Sequence, residues 1–364
     1  MRADEKLCLG QYVIGLLNCK APACAGRPFK RRAKNAIVPL EKPQWKNMTE
    51  VEQRVYDFFR AQGFVPLVPE AYSALQEYDH DIRLQEAGLV IRIAWAESYH
   101  IHYKIIHGYL CALFIFEGLP VFFEINTPSE KPAVPLQQLI DELYALARKV
   151  GLSALEIWCV DERCLADYEA VTGYQYRSTY SDDRCEYVYL PSDITDLAGG
   201  VNKSKRERLK KFFATPITFQ SISNENIGQC LAIQDEWCRK QDCAVCRSFS
   251  GCEKRALEIM TKLFDPQIQS GVYMHIDGAP VGYVIWELRS NNVAFLYFSK
   301  ALIPNSSVYL CYILFKEYLS HAAYLNLNEY MGKPGLRTFK THLSRYALWR
   351  KYMCTFEHGG AECA

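Results

Sequence analysis

One order of elements occurs twice along the chain, and that repetition limits the fold more than any other feature. In the first half, "YLCALFIFEGLPVFFEIN" reads as two apolar strands around Glu117-Gly118, a hairpin. A helix follows in "LQQLIDELYALARKVG", with Leu136, Leu139, Ile140, Leu143 and Leu146 on one face. Then come a short strand "ALEIWCV", a second helix "ERCLADYEAVTG" and a strand "CEYVYL". In the second half, "GVYMHIDGAPVGYVIWEL" is an apolar hairpin around Asp277-Gly278, extended by "VAFLYFSKA". A helix "SVYLCYILFKEYLSHA", a strand "YLNLNE", a loop and helix "GKPGLRTFK" and a last strand "YMCTFE" complete it. The pattern is duplicated although the letters are not.

Each unit predicts a mixed sheet flanked by helices, an α/β class. Two of them in tandem match the layout of a duplicated acyltransferase-like (GNAT-like) fold, and fold alone does not name a reaction. A chain of 364 residues also suits two domains. The expected boundaries are a leader over 1–36, a first domain over 37–190 and a second over 191–364. Ordered structure is expected to begin near Ile37. "MTEVEQRVYDFFRAQGF" then offers Thr49 as an N-cap with Gln53 in reach, and Gly63 as a stop.

The formal net charge of +1 gives the whole molecule no electrostatic preference for nucleic acid or membrane, so any anion site must be local. The 15 cysteines are odd in number and scattered, unlike a secreted disulfide framework; they point to a reducing cytoplasm. No run of about 18 apolar residues predicts a membrane span. The opening "LCLGQYVIGLLNCKAPACAG" is interrupted by Gly10 and Gln11 and preceded by Asp4 and Glu5, so it reads as a loose leader and not a secretory signal.

Two segments concentrate cations. "LAGGVNKSKRERLKKFF" puts Lys203, Arg206 and Lys210 in one helical row, with Leu209, Phe212 and Phe213 as an apolar edge. Gly199-Gly200 ahead of it would bare backbone N–H groups to an anion. Such a helix contacts phosphate or RNA, or is a solvated connector. The other segment is "GKPGLRTFK", in which Gly332 and Gly335 let the backbone turn and approach a ligand. Pro334 suits a first helical position, which would bring Arg337 and Lys340 to one face. The bland alternative is a strand-to-helix turn with surface cations. In an acyl-CoA enzyme of this fold, a glycine-rich turn before the second-half helix binds the pyrophosphate. Here that turn is "KALIPNSSVY", without glycine, leaving Ser306 and Ser307 as possible caps.

Cys238, Cys243, Cys246 and Cys252 cluster in "WCRKQDCAVCRSFSGC", but the intervals fit no standard zinc pattern, and reduced loop cysteines are expected. His100 and His102 in "SYHIHYKIIHGY" would share one face of a strand, as exposed residues. No phosphate-binding P-loop, nucleophile elbow or hydrolase triad is present in the sequence.

Three phrases carry a family resemblance over about residues 90 to 356. "EYVYLPSDITDLAGGVNKSKRERLKKF" resembles a strand, an L..L.G phrase and a Lys-Arg-rich helix; "FSKA" resembles a Glu-Lys-Ala phrase; "NLNEYMGKPGLRTFKTHLSRYALWRKY" resembles a closing GLR motif. The family is the C-terminal domain of phosphatidylglycerol lysyltransferase with its soluble relatives. The resemblance implies a tandem acetyltransferase-like fold in which an aminoacyl group passes from charged tRNA to a lipid headgroup. By position it carries over Arg337 and Lys340, Lys300 of the Glu-Lys-Ala phrase, and the basic pair Lys205 and Arg206. Three positions differ: Tyr330 replaces the family's Asp, with Glu329 beside it, Ser299 replaces Glu, and Glu207 replaces Asn.

The leading expectation is an acyl or aminoacyl transferase acting on a small-molecule or lipid-headgroup acceptor, with aminoacyl-tRNA or acyl-CoA as donor. Arg337 and Lys340 would hold the anionic group, Lys300 would line the cleft, and Glu329 or Tyr330 would orient or deprotonate the acceptor. The competing expectations are a non-catalytic anion- or RNA-binding module and a conventional acyl-CoA N-acyltransferase.

Overall fold

The computed structural model describes residues 49–115, 121–200, 202–241, 253–344 and 346–358. The leader, the Glu117-Gly118 turn and Cys243, Cys246 and Cys252 lie outside them. Among the described residues, fourteen strands form two seven-stranded mixed sheets.

The first half contributes β1 (Val65–Pro66), β2 (His102–Ile106), β3 (Tyr109–Phe114), β4 (Phe122–Asn126), β5 (Ala154–Asp161), β6 (Tyr174–Thr179) and β7 (Glu186–Tyr189). The second contributes β8 (Ile217–Ser221), β9 (Gln269–Ile276), β10 (Ala279–Leu288), β11 (Val293–Ala301), β12 (Tyr324–Asn326), β13 (Ala347–Trp349) and β14 (Lys351–His358). The sheet orders are β1-β2-β3-β4-β5-β14-β6 and, read from the matching end, β8-β9-β10-β11-β12-β7-β13. The two orders correspond strand for strand, with one parallel pair in each, β4–β5 and β11–β12.

The correspondence hides an exchange. The strand between β5 and β6 is β14, from the C-terminal end of the chain. Its counterpart between β12 and β13 is β7, from the first half. The expected division at residue 190 therefore separates chain segments and not sheets: "CEYVYL" completes the second sheet and "YMCTFE" completes the first.

Local chemistry sets the elements as the sequence predicts in several places. Helix α1 (Glu50–Ala61) has Thr49 as N-cap, but the box partner is Glu52 and not Gln53. Gly63 follows the helix at φ +88°. The β9–β10 hairpin turns at Asp277 and Gly278, with φ of 51° and 77°, the double left-handed turn that an Asp-Gly pair accommodates. His102 is buried, contrary to the expectation of an exposed residue: its ring packs edge-on against Tyr56 at 4.8 Å, and Nδ1 lies 2.8 Å from the His100 carbonyl.

Three cores hold the layers. Helices α1 and α3 (Leu136–Lys149) cover the outer face of the first sheet. Helices α4 (Lys203–Phe213) and α7 (Ser306–Ile313) cover the outer face of the second. Between the sheets, one shared core contains α2 (Leu89–Trp95), residues of α5 (Gln229–Lys240) and α6 (Glu253–Leu263), and inward residues such as Phe122, Tyr283, Phe295 and Tyr297. All seven residues of α2 are buried. Its Arg92 is held by Glu124 Oε2 at 2.7 Å and Asn126 Oδ1 at 2.6 Å, which removes the cost of an unpaired charge at that depth.

Candidate functional site

The second sheet opens at its parallel pair. The β11–β12 ladder stops at Phe295 opposite Asn326, while β11 runs on to Ala301. Lys300 lies on this extension, opposite Tyr283 of β10 and beyond the end of β12. Its ammonium is buried, 2.6 Å from both oxygens of Glu253 at the start of α6 and 4.6 Å from the centroid of the Trp237 ring on α5. Burial pushes the Glu253 carboxyl up and Lys300 pulls it down. The sequence reading missed Glu253 and Trp237. Nothing local marks them, because they reach Lys300 from helices about 50 to 60 residues earlier in the chain.

The chain after β12 turns through three left-handed residues, Asn328, Met331 and Gly332, and enters α8 (Pro334–Leu343) with Pro334 in its first turn, as predicted. Lys340 braces the turn: its buried ammonium donates to the carbonyls of Leu327 at 2.6 Å and Asn328 at 2.8 Å, and to that of Glu329; the Asn328 carbonyl also accepts from the Tyr187 N–H at 3.0 Å. Burial lowers Lys340 to about 7, against the pull of the Glu329 and Glu186 carboxylates. Lys340 was expected to hold an anionic group; here its ammonium braces the loop. Arg337, one turn earlier, is exposed, with its guanidinium 5.7 Å from the centroid of the half-buried Tyr330 ring. Gly332 and Gly335 are both exposed, and a Cβ on Gly335 would meet nothing.

Glu329, expected to orient or deprotonate the acceptor, is engaged in two ion pairs. Its carboxylate is buried, with Oε1 at 2.9 Å from Arg184 and Oε2 at 2.6 Å from Lys351. Burial and the Glu86 carboxylate raise it to about 7, against Lys351 and Arg184. Lys351 begins β14 and also reaches Glu86 at 2.5 Å, so this cluster ties the exchanged strand of one sheet to the loop after β12 in the other.

The basic segment divides in the same way. The Lys205 ammonium is buried and donates to the carbonyls of Asp193 at 2.8 Å, Ile194 at 3.2 Å and Asp196 at 3.0 Å. Burial lowers its pKa, opposed by Asp196 and Asp193. Arg206 donates to the carbonyls of Leu197 and, at 2.7 Å, Gly199. Both residues of the basic pair, expected to bind an anion, thus close the 193–199 turn. The cations facing an open groove of about 740 Å³ are Lys203, Arg208 and Lys211, joined by Asn305 from the turn before α7. Lys210 is exposed but does not line this groove. Asn305 has φ +66°, a left-handed position that asparagine tolerates. Ser306 is buried and its hydroxyl donates to the Ile303 carbonyl at 2.6 Å.

The profile of the family described as "Phosphatidylglycerol lysyltransferase, C-terminal" matches residues 128–355, more than half of the chain. The chain belongs to that family. A solved conserved protein of unknown function from Bacteroides thetaiotaomicron is similar at 20% identity, with a TM-score of 0.69 over 81% of this chain and 99% of that one. The C-terminal domain of a putative lysylphosphatidylglycerol synthetase from Agrobacterium fabrum is similar at 12% identity, with a TM-score of 0.53 over 81% and 92%. FemX is similar at 10% identity, with a TM-score of 0.51 over 78% and 95%. At these identities the structural likeness shows the fold, a tandem acyltransferase-like arrangement. No curated protein matches the chain. Among the described residues, no helix is long and apolar enough to cross a membrane.

Proposed function

We propose that this member of the family is an acyl or aminoacyl transferase that works at the opening between β11 and β12. The observation that carries the reading is the Lys300–Glu253 pair under Trp237, a buried charge pair placed on the one stretch of β11 that β12 leaves unpaired. A donor ester or thioester would lie along this opening. The acceptor amine or hydroxyl would attack its carbonyl carbon, the tetrahedral oxyanion would collapse, and the carrier's hydroxyl or thiol would leave with a proton. Such a reaction is helped by hydrogen-bond donors or a cation near the developing oxyanion, and Lys300 would supply the cation once its pairing with Glu253 loosens. Arg337 is exposed and braced over Tyr330, so its planar fork suits an anionic donor or acceptor headgroup. The family resemblance favours aminoacyl-tRNA as donor; acyl-CoA is the other candidate. A cytoplasmic setting belongs to the same proposal.

A second reading, a non-catalytic anion-binding module on the same fold, draws on the engagement of Glu329 in two ion pairs. That leaves the closing motif without a carboxylate poised as a base.

The deciding experiment supplies purified protein with charged tRNA, a lipid and small-amine extract and, in parallel, acetyl-CoA, and follows products by mass spectrometry. An aminoacylated product that disappears in Arg337→Ala, with the fold intact, supports transfer from tRNA and names the acceptor. An acetylated product supports the acyl-CoA donor. No product from either donor favours the binding module.

A further inference from the structure

The two sheets end in four edge strands, β1 and β6 in the first and β13 and β8 in the second. Three of them are guarded. β1 is two residues long and contains Pro66, which has no N–H to offer. β6 exposes Gln175, Arg177 and Thr179, and β8 exposes Thr218, Gln220 and Ser221, so both present polar side chains. β13 differs from these. It exposes Ala347 and Leu348 and half-buries Trp349, with no polar side chain and no proline in the strand. Among the described residues, its far edge has no partner strand.

Exposed apolar area also gathers around this edge. Among the described residues nine large apolar side chains are exposed, and Leu190, Tyr324, Tyr346 and Leu348 lie here, each between 38 and 44% exposed. Tyr346 precedes the strand, with its ring 4.8 Å from that of Tyr187 on β7, and Leu348 is the register partner of the same Tyr187. Trp349 has the Tyr324 ring at 5.4 Å and the Arg83 guanidinium at 4.9 Å. Leu190 directly follows β7. Apolar side chains thus surround an open backbone edge, an arrangement that recruits another strand.

The strand complements itself. When two copies of β13 run antiparallel about a two-fold axis at Leu348, Leu348 meets Leu348 of the second copy, Ala347 meets Trp349 of the second copy, and Tyr346 meets Arg350 of the second copy. The pairs are apolar on apolar, small on large and aromatic on cation, with no like charges opposed. Arg350 donates to Glu162 at 2.9 Å and lies 5.0 Å from the centroid of the Tyr180 ring, yet it remains exposed, and a second ring needs none of its N–H groups. The ladder ends where the chain leaves for β14 at Lys351.

We infer that β13 is the pairing edge of a homodimer, in which the second sheets of two copies join through an antiparallel β13–β13 ladder. The inference does not rest on the transferase reading. A ladder this short belongs with small, transient interfaces, so the dimer is weak and forms at micromolar concentrations or above. The rings of Tyr346, Tyr187 and Tyr330 run in series from this edge to Arg337, with Tyr187 and Tyr330 6.0 Å apart, so the second copy stands beside the loop after β12.

The test follows the mass of the full chain by analytical ultracentrifugation in reducing buffer, from roughly 1 to 500 µM. The expected result is a reversible dimer in wild type. Leu348→Asp and Leu348→Lys should each weaken it by about tenfold or more, because the new charge meets its own copy. An equal mixture of the two variants should restore the dimer, since Asp then faces Lys. Val51→Asp, the same kind of change at an exposed apolar residue of α1, should alter it by less than about twofold. Thermal melts check that each variant is folded. Hydrogen exchange on wild type needs no variant: the amides of residues 346–350 should gain protection as concentration rises. A monomer at every concentration, Leu348 variants that dimerise like wild type, a mixture that stays monomeric, or protection independent of concentration would each overturn the inference.

Discussion

The Lys351 ammonium lies 2.6 Å from Glu329 Oε2, joining the first residue of the exchanged strand β14 to the loop that follows β12. The same ammonium reaches Glu86, and the other oxygen of Glu329 is held by Arg184. Removing one member of a buried charged cluster strands the others, typically at about 3–5 kcal/mol. Lys351→Met is therefore expected to lower unfolding stability by about that amount in urea titration. Replacing both partners, Lys351→Met with Glu329→Met, is expected to recover part of the loss, since no lone charge then remains for that pair. Additive losses in the double variant would show the two residues to be uncoupled.

Arg337 and Lys340 stand three residues apart on one helix and are expected to fail in different ways. Lys340→Met takes the shared ammonium from the carbonyls of Leu327, Asn328 and Glu329, leaving Asn328 the Tyr187 N–H, and the loop loses its shape along with stability, by about 1–3 kcal/mol. Arg337→Ala removes an exposed side chain, so its melting temperature should stay within about a degree or two of wild type, while turnover or ligand binding falls. Paired thermal melts and activity measurements check this. A large loss of stability in Arg337→Ala would move that residue into the scaffold as well.

These contrasts show where the sequence was legible. The hairpin at Asp277-Gly278 was readable because two successive left-handed residues need that chemistry locally. Helix α3 was readable because one side faces water and its apolar spacing survives. Helix α2 was not, since a helix buried on every side carries no polar face to mark its period. The exchange of β7 and β14 was also hidden: each strand has ordinary alternation or burial, and the partner that accepts it is set by tertiary pairing. Lysine roles were hidden for a related reason. A lysine becomes a strut only after a turn has exposed carbonyls to it, as happens at Lys205 and Lys340.

Glu253 and Lys300 are expected to be energetically coupled. Glu253→Gln leaves a buried ammonium beside Trp237 with a weaker partner and should destabilise the protein; Lys300→Met should leave a buried carboxylate that is free to take up a proton. The double variant should be more stable than the sum of the single losses by about 1–3 kcal/mol, read from a double-mutant cycle in denaturant. Under the transferase reading, turnover stays lost in the double variant even where stability returns, because the cation at the opening is gone. Turnover that follows stability would make the pair structural only.

The last expectation concerns acid. Burial holds the His102 imidazole down at about 4, from an ordinary value of 6.5. Between those two values the unfolded chain binds a proton that the folded protein refuses, so stability is fully present above about pH 6.5 and falls as the pH drops toward 4. Below the lower value both states are protonated and this contribution stops changing. The full displacement corresponds to a loss of about 3 kcal/mol, spread over that window. Urea midpoints between pH 7 and 4.5 should show the slope. His102→Phe, which keeps a ring against Tyr56, should flatten it relative to wild type, whatever its stability at pH 7. An unchanged slope in that variant would remove His102 as its source; the carboxylates raised by burial, such as Glu329, act in the opposite sense, because the folded protein takes up their protons first as the pH falls.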